Sequence, residues 1–136
     1  MQLNPHLHFD GQCEAAFRFY QQVFGGEIAT MLTYAQSPMA DQVPERWRSK
    51  ILHASLNIDG ATLTGADDHP GTYRTLQGFA VTIGVEDPAE AERIFHALAD
   101  GGTVQMGLAE TFWAIRFGML VDRYSVPWMI NCGKGE

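Results

Sequence analysis

A chain of 136 residues is long enough for one ordinary domain, or for two small halves that share a core. A hydrophobic fraction of 46% and an aromatic fraction of 11% suit a globular protein, while a formal net charge of -7 leaves no basic excess to displace counterions from a phosphate backbone, so no nucleic-acid partner is expected. Cys13 and Cys132 lie outside any CxxC spacing and read as buried thiols; no charged and apolar leader opens the chain, and no apolar run approaches the roughly 18 residues of a membrane span, so a cytoplasmic protein is expected.

In chain order, Leu3 to Phe9 reads as a first strand, with Leu7 and Phe9 on one face and Asn4, His6 and His8 on the other. Cys13 to Phe24 follows as a helix whose Ala16, Phe19, Tyr20 and Val23 form an apolar stripe, stopped by Gly25-Gly26. Glu27 to Tyr34 is a second strand. Ala35 to Arg48 is polar, carries Pro38 and Pro44, and reads as a long loop, either a lid or a mobile segment. Lys50 to Ile58 is a third strand, with His53, Ser55 and Asn57 on one face. Asp59-Gly60 is a two-residue hairpin signal leading to a fourth strand, Ala61 to Ala66. Asp67 to Gln77 reads as a linker.

The second half opens with a strand at Gly78 to Val85. Asp87-Pro88-Ala89-Glu90 then announces a helix: Asp87 as N-cap, Pro88 at the first helical position, Glu90 completing a capping box. Ala91, Ile94, Phe95 and Leu98 are its buried stripe, and Asp100-Gly101-Gly102 ends it. Thr103 to Met106 is a short strand. Phe112 to Val121 and Val126 to Asn131 form a hairpin around the turn Asp122-Arg123-Tyr124-Ser125, with Trp113 and Trp128 on neighbouring strands as a core pair or a pocket wall.

The two helical stripes repeat at a constant offset of 75 positions, and the glycine pairs at 76. Each half reads as βαβββ. The expected fold is α+β: one domain of paired βαβββ modules, about 1–67 and 78–136, forming a cupped mixed sheet with helices on the outer face. A cleft between packed halves is a favoured ligand site.

The chain resembles the vicinal-oxygen-chelate (glyoxalase and bleomycin-resistance) superfamily, and within it the PhnB-like branch. The residues that carry this are Phe9-Asp10-Gly11-Gln12-Cys13-Glu14-Ala15-Ala16, Phe19-Tyr20, Val23-Phe24-Gly25-Gly26 and His53-Ala54. The final block is the most specific: Glu110-Thr111-Phe112-Trp113-Ala114, Phe117-Gly118, Asp122-Arg123-Tyr124 and Val126-Pro127-Trp128-Met129-Ile130-Asn131. The branch usually has glycine where this chain has Ser125. The resemblance implies a glyoxalase-like cup and a homodimer. It also implies, in metal-dependent members, ligands on the first and last strands of each module. Here the second module's positions fall near Ala80 and Met129, while in the first module His6 and His8 lie near the expected position in a shifted register and Thr62 and Thr64 offer no carboxylate, so no such metal site is expected.

The candidate ligand-binding residues are His6, His8, His53, Glu110, Trp113, Trp128 and Met129. Three histidines suffice for a catalytic zinc or iron if they converge; otherwise they belong to a solvated face. The tryptophans are core or pocket, Glu110 an acid, a base or a solvated strand end. No phosphate loop, nucleophile elbow or glycine-rich cofactor loop is present. The leading expectation is a metal-free protein that binds a small hydrophobic or aromatic molecule. The alternatives are a metal-dependent lyase, isomerase or dioxygenase using His6, His8 or His53, and an interaction module without a pocket.

Overall fold

The structure, a computed structural model, describes residues 1–134. It contains two α-helices and two four-stranded mixed sheets, an α+β architecture of the glyoxalase-like kind. The chain divides into two compact units, Met1–Arg74 and Thr75–Glu136.

The first unit runs β1 (His6–Phe9), α1 (Cys13–Phe24), β2 (Glu27–Thr33), β3 (Ile51–Ile58) and β4 (Ala61–Asp67). The second runs β5 (Val81–Val85), α2 (Pro88–Ala99), β6 (Thr103–Ala109), β7 (Ala114–Val121) and β8 (Pro127–Gly133). The sheet orders are β1-β4-β3-β2 and β5-β8-β7-β6, with the first and last strand of each unit parallel. The duplication read from the helical stripes is therefore present in the topology.

The glycine pairs show what the repeat is for. Gly25 and Gly101 leave the helices at φ +75° and +78°, where a side chain is disfavoured. A Cβ on Gly26 would lie 2.2 Å from the Asn57 carbonyl oxygen, and one on Gly102 2.3 Å from that of Val121. In both units the chain after the helix passes so close to a neighbouring strand that only glycine fits.

Each helix covers one face of its own sheet. On α1 the buried residues are Cys13, Ala16, Phe17, Tyr20 and Val23. Phe17, not the expected Phe19, takes the inward position, because the stripe begins one turn earlier at Cys13. Phe17 packs on Gly65, where a Cβ would lie 2.6 Å from its ring, and edge-on to Phe9. On α2 the stripe is Ala91, Ile94, Phe95 and Leu98, as expected, and Phe95 packs on Gly118. Each such large side chain taken out of water stabilises the fold by about 1.5–3 kcal/mol.

Several boundaries move. Leu3 is 95% exposed and β1 begins at His6. Phe79 lies outside β5 and is exposed. Asp87 does cap α2, but through the Ala89 N–H at 3.0 Å; Glu90 pairs with Arg93 instead of closing a capping box. Ala35 to Arg48 is neither strand nor open lid. It folds into three short 3-10 turns, and it is fastened by Ala35 N–H to the Arg48 carbonyl, by Arg48 Nε to the Ala40 carbonyl and by Trp47 Nε1 to the Asp68 carbonyl. Phe112 and Trp113 precede β7, in a turn held by the Thr111 hydroxyl, which accepts from Ala114 N–H at 3.1 Å. Trp113 and Trp128 are therefore not cross-strand partners; Trp128 lies between Leu120 and Val81.

Among the described residues two carboxylates are buried, and neither falls where the sequence suggested a core. Asp67, expected in the linker, ends β4. Its Oδ1 accepts from the N–H groups of Gly11 (2.9 Å) and Cys13 (3.0 Å), and its Oδ2 accepts from Ile51 N–H (2.8 Å). Asp122 opens the final turn. Its Oδ1 accepts from Tyr124 and Val126 N–H, and its Oδ2 accepts from Trp128 Nε1 at 2.8 Å.

Candidate functional site

In the first unit, strand alternation puts Leu7, Phe9 and Gly65 under α1 and leaves the intervening side chains on the open face. The register runs His6–Thr64–Ser55 across β1, β4 and β3, with His8 opposite Ala66. His53, two residues from Ser55, shares that face. The three candidate histidines do come together: the His6 and His8 rings lie 5.2 Å apart, edge to face, and His6 and His53 lie 6.2 Å apart, nearly parallel.

Two of the rings are held by hydrogen bonds. His8 Nδ1 meets Asp68 Oδ1 at 2.7 Å, and His6 Nδ1 meets the Thr64 hydroxyl at 2.7 Å. A carboxylate only accepts, so His8 donates from Nδ1–H. Asp68 is itself fixed: its N–H donates to the Phe9 carbonyl, and its carbonyl receives the Trp47 indole N–H. Burial lowers the pKa of His6 from its ordinary value, and the neighbouring His8 and His53 lower it further, against the opposing pull of Asp68. His6 is thus neutral at pH 7.

Two other reactive groups of the first unit are quenched. Burial, then the Asp67 and Glu14 charges, push the Cys13 thiol well above its ordinary range, so it stays protonated. Burial, then Asp67 and Asp68, also raise the Tyr34 phenol, which donates to the Asp67 carbonyl at 2.6 Å.

In the second unit the open face has a different chemistry. Gly118 lies under Phe95 and Arg116 pairs with Glu92 of α2, so Phe117 and Met119 point away from the helix. Met119 pairs with Met106 on one side and Met129 on the other, and Met129 with Thr82. The result is a row of three thioethers across β6, β7 and β8. Trp113, 46% exposed, packs edge-on to Phe117 at 5.2 Å and to Phe112 at 4.7 Å.

The remaining expectations fare unevenly. Trp128 is 2% exposed, turned to the α2 side with its N–H spent on Asp122, and is a core residue. Glu110 is exposed beside Lys134, at 3.4 Å. Among the described residues, no group of three or more His, Cys, Asp or Glu is placed to hold a metal ion, and no helix is long and apolar enough to cross a membrane. Thr64 and Asp68, which orient the histidines, were not candidates. Asp68 follows directly on the fourth strand, and Thr64 shares its parity with the open face; those were the available signals.

Duplicated βαβββ units with this strand order define a protein of the vicinal-oxygen-chelate, glyoxalase-like class. Residues 1–131 match the family model described as 3-demethylubiquinone-9 3-methyltransferase, and the chain belongs to that PhnB-like family. It is similar to protein YjdN of Escherichia coli, at 32% identity over 144 residues, covering 100% of this chain and 98% of that one. The crystal structure of PA1353 from Pseudomonas aeruginosa is 43% identical with a TM-score of 0.91, covering 99% of both chains. A PhnB protein from Bacillus cereus shares the fold at 24% identity and a TM-score of 0.77, covering 96% of this chain and 98% of that one.

Proposed function

We propose that this chain is a metal-free small-molecule-binding protein that takes up an aromatic or otherwise apolar compound on the open face of its first sheet. The observation that carries the reading is the gathering of His6, His8 and His53, with Thr64 and Asp68 fixing two of the rings. Three imidazoles held on a strand face offer flat apolar surface and polar edges together, the combination by which small-molecule sites orient a ligand. The methionines of the second sheet, Met129 among them, and Trp113 in the turn before β7 form an apolar surface of a kind that adapts to varied shapes. The family description names a methyltransferase, but the sequence has no glycine-rich loop after a strand to hold such a cofactor.

The test is a titration of the isotopically labelled full chain with a panel of small aromatic compounds. Perturbation centred on His6, His8 and His53 supports the reading, and a panel that leaves all three unmoved overturns it. Elemental analysis of the same preparation should show less than about 0.1 equivalent of zinc, iron, nickel or manganese. A second reading, a metal-dependent enzyme using these histidines, draws on the Asp68–His8 pair, since metal-binding histidines are commonly oriented by a carboxylate in this way. Stoichiometric metal lost in His8→Ala or His53→Ala would favour it. A cytoplasmic homodimer is part of the proposal; light scattering giving the monomer mass would remove the dimer.

A further inference from the structure

We infer that the histidine face selects ligands that donate a hydrogen bond from a hydroxyl group, phenols or enols, over the same skeletons with that oxygen capped. The inference rests on the small-molecule reading above and names the class of compound that site would take.

The argument is one of proton inventory. Thr64 has a single hydroxyl proton, and the Pro5 carbonyl lies within its reach at 3.2 Å. The same oxygen contacts His6 Nδ1 at 2.7 Å. We assign that proton to Pro5, so that Thr64 accepts from His6, which puts the ring proton on Nδ1 and the lone pair on Nε2. In its neutral form His8 reaches the same arrangement by a different route, because Asp68 then holds the single ring proton on Nδ1. Neither Nε2 has a hydrogen-bond partner among the described residues. The face therefore presents two imidazole edges as acceptors, on rings 5.2 Å apart, with His53 beside them. What such edges lack is a donor. A phenol O–H supplies one and sets its ring beside the imidazoles; an aryl methyl ether brings the same apolar surface without the proton.

Thr64 acts here as a positioning residue. Thr64→Val keeps its shape but removes the acceptor for Nδ1–H, so the His6 proton is free to move to Nε2 and turn that edge into a donor. Thr64→Ser restores the hydroxyl.

The experiment compares phenol and anisole on the full chain, following ring and backbone resonances of His6 and His8, in the wild type, Thr64→Val and Thr64→Ser. The ring 15N shifts report the tautomer directly. The expected result is Nδ1–H at His6 in the wild type and in Thr64→Ser. Phenol should bind about threefold to tenfold more tightly than anisole in both proteins, the span of one net hydrogen bond. In Thr64→Val the tautomer should shift and the preference should shrink. Equal binding of both probes at the histidines would overturn the inference and leave the site standing. A wild-type Nε2–H tautomer at His6 would overturn it as well. Failure of both probes to touch the histidines would take away the site and, with it, this inference.

Discussion

The two units fold by one plan and expose two chemistries. Both run strand, helix and three strands, both end the helix on paired glycines, and both press a helical phenylalanine onto a strand glycine. Yet the open face of the first sheet carries His6, His8, His53, Ser55 and Thr64, while that of the second carries Met106, Met119, Met129 and Phe117. The shared features all concern the helix side, where packing density constrains every residue. The open faces are under no such constraint, and that is where two copies of one plan can diverge toward separate tasks. What the fold requires is thus read from the positions at which the units agree, and what the protein does from those at which they differ.

The buried carboxylates give the sharpest way to test that division. Asp67 and Asp122 occupy different places in the plan, so each is a local solution to orphaned N–H groups. Asp67→Ala strands three backbone donors from two distant segments, each costing about 1–3 kcal/mol, for a total near 4 kcal/mol. That is a large share of the about 5–15 kcal/mol typical of a domain. Asp122→Ala strands two N–H groups of its own short turn and one indole, and should cost about 2–3 kcal/mol. Denaturant midpoints measure both, and a greater loss at Asp122 than at Asp67 would reverse this ranking.

The tryptophans separate core from face within the second unit. Trp128→Phe removes the indole N–H from Asp122 and leaves a buried oxygen short of a partner, a loss of about 2 kcal/mol. Trp113→Phe, at a half-exposed turn, should stay within about 0.5 kcal/mol. It should also lower the iodide-quenchable fluorescence, leaving that of the part-exposed Trp47, whereas Trp128→Phe should not lower it. Comparable stability losses in the two variants would put Trp113 in the core after all.

What the sequence disclosed follows the same line. Features set by near neighbours were legible: the limits of α1, Asp87 and Pro88 at the start of α2, Asp59-Gly60 at a hairpin with φ +48° and +83°, and the glycine pairs. Features set by distant partners were not. Asp67 sat in a polar run and read as linker, because its three donors lie 16 to 56 residues away. The aromatic run Phe112-Trp113 imitated a strand although the Thr111 hydroxyl turns the chain there. At the candidate site, alternation alone placed His6 and His8 on one face. That His53 joins them depends on β4 lying between β1 and β3, an order no local pattern encodes.

The histidine cluster makes the first face sensitive to pH in a way the second is not. Because His6 titrates lower in the folded than in the unfolded chain, the unfolded state takes up its proton first as pH falls. The His6 contribution to stability is complete above the unfolded value of 6.5 and is lost as pH falls from there through the folded value. An NMR titration should find the His6 midpoint below 6.5, moving up in His8→Gln and in His53→Gln and further down in Asp68→Asn. A midpoint indifferent to all three would mean that the rings do not sense one another.

The smallest effect compares the hairpin turns, where, among the described residues, each unit holds one non-glycine residue in the left-handed region: Asp59 at φ +48° and Ser125 at φ +71°. Aspartate tolerates that conformation because its short polar side chain bonds locally, whereas serine has less to gain. Ser125 follows a turn closed by its own N–H on the Asp122 carbonyl at 3.0 Å, so its backbone cannot relax elsewhere without releasing the Asp122 anchor. Ser125→Gly should relieve about 1–2 kcal/mol of left-handed strain against the about 0.5–1 kcal/mol by which glycine's freedom favours the unfolded chain, a net gain near 0.5 kcal/mol. For a chain of this size that raises the melting temperature by about 2 °C. Asp59→Gly should gain less, because it gives up a residue already suited to its turn. If Asp59→Gly were instead the more stabilising of the two, the strain in the second unit would lie outside this turn, and the serine would be as much at home there as a glycine.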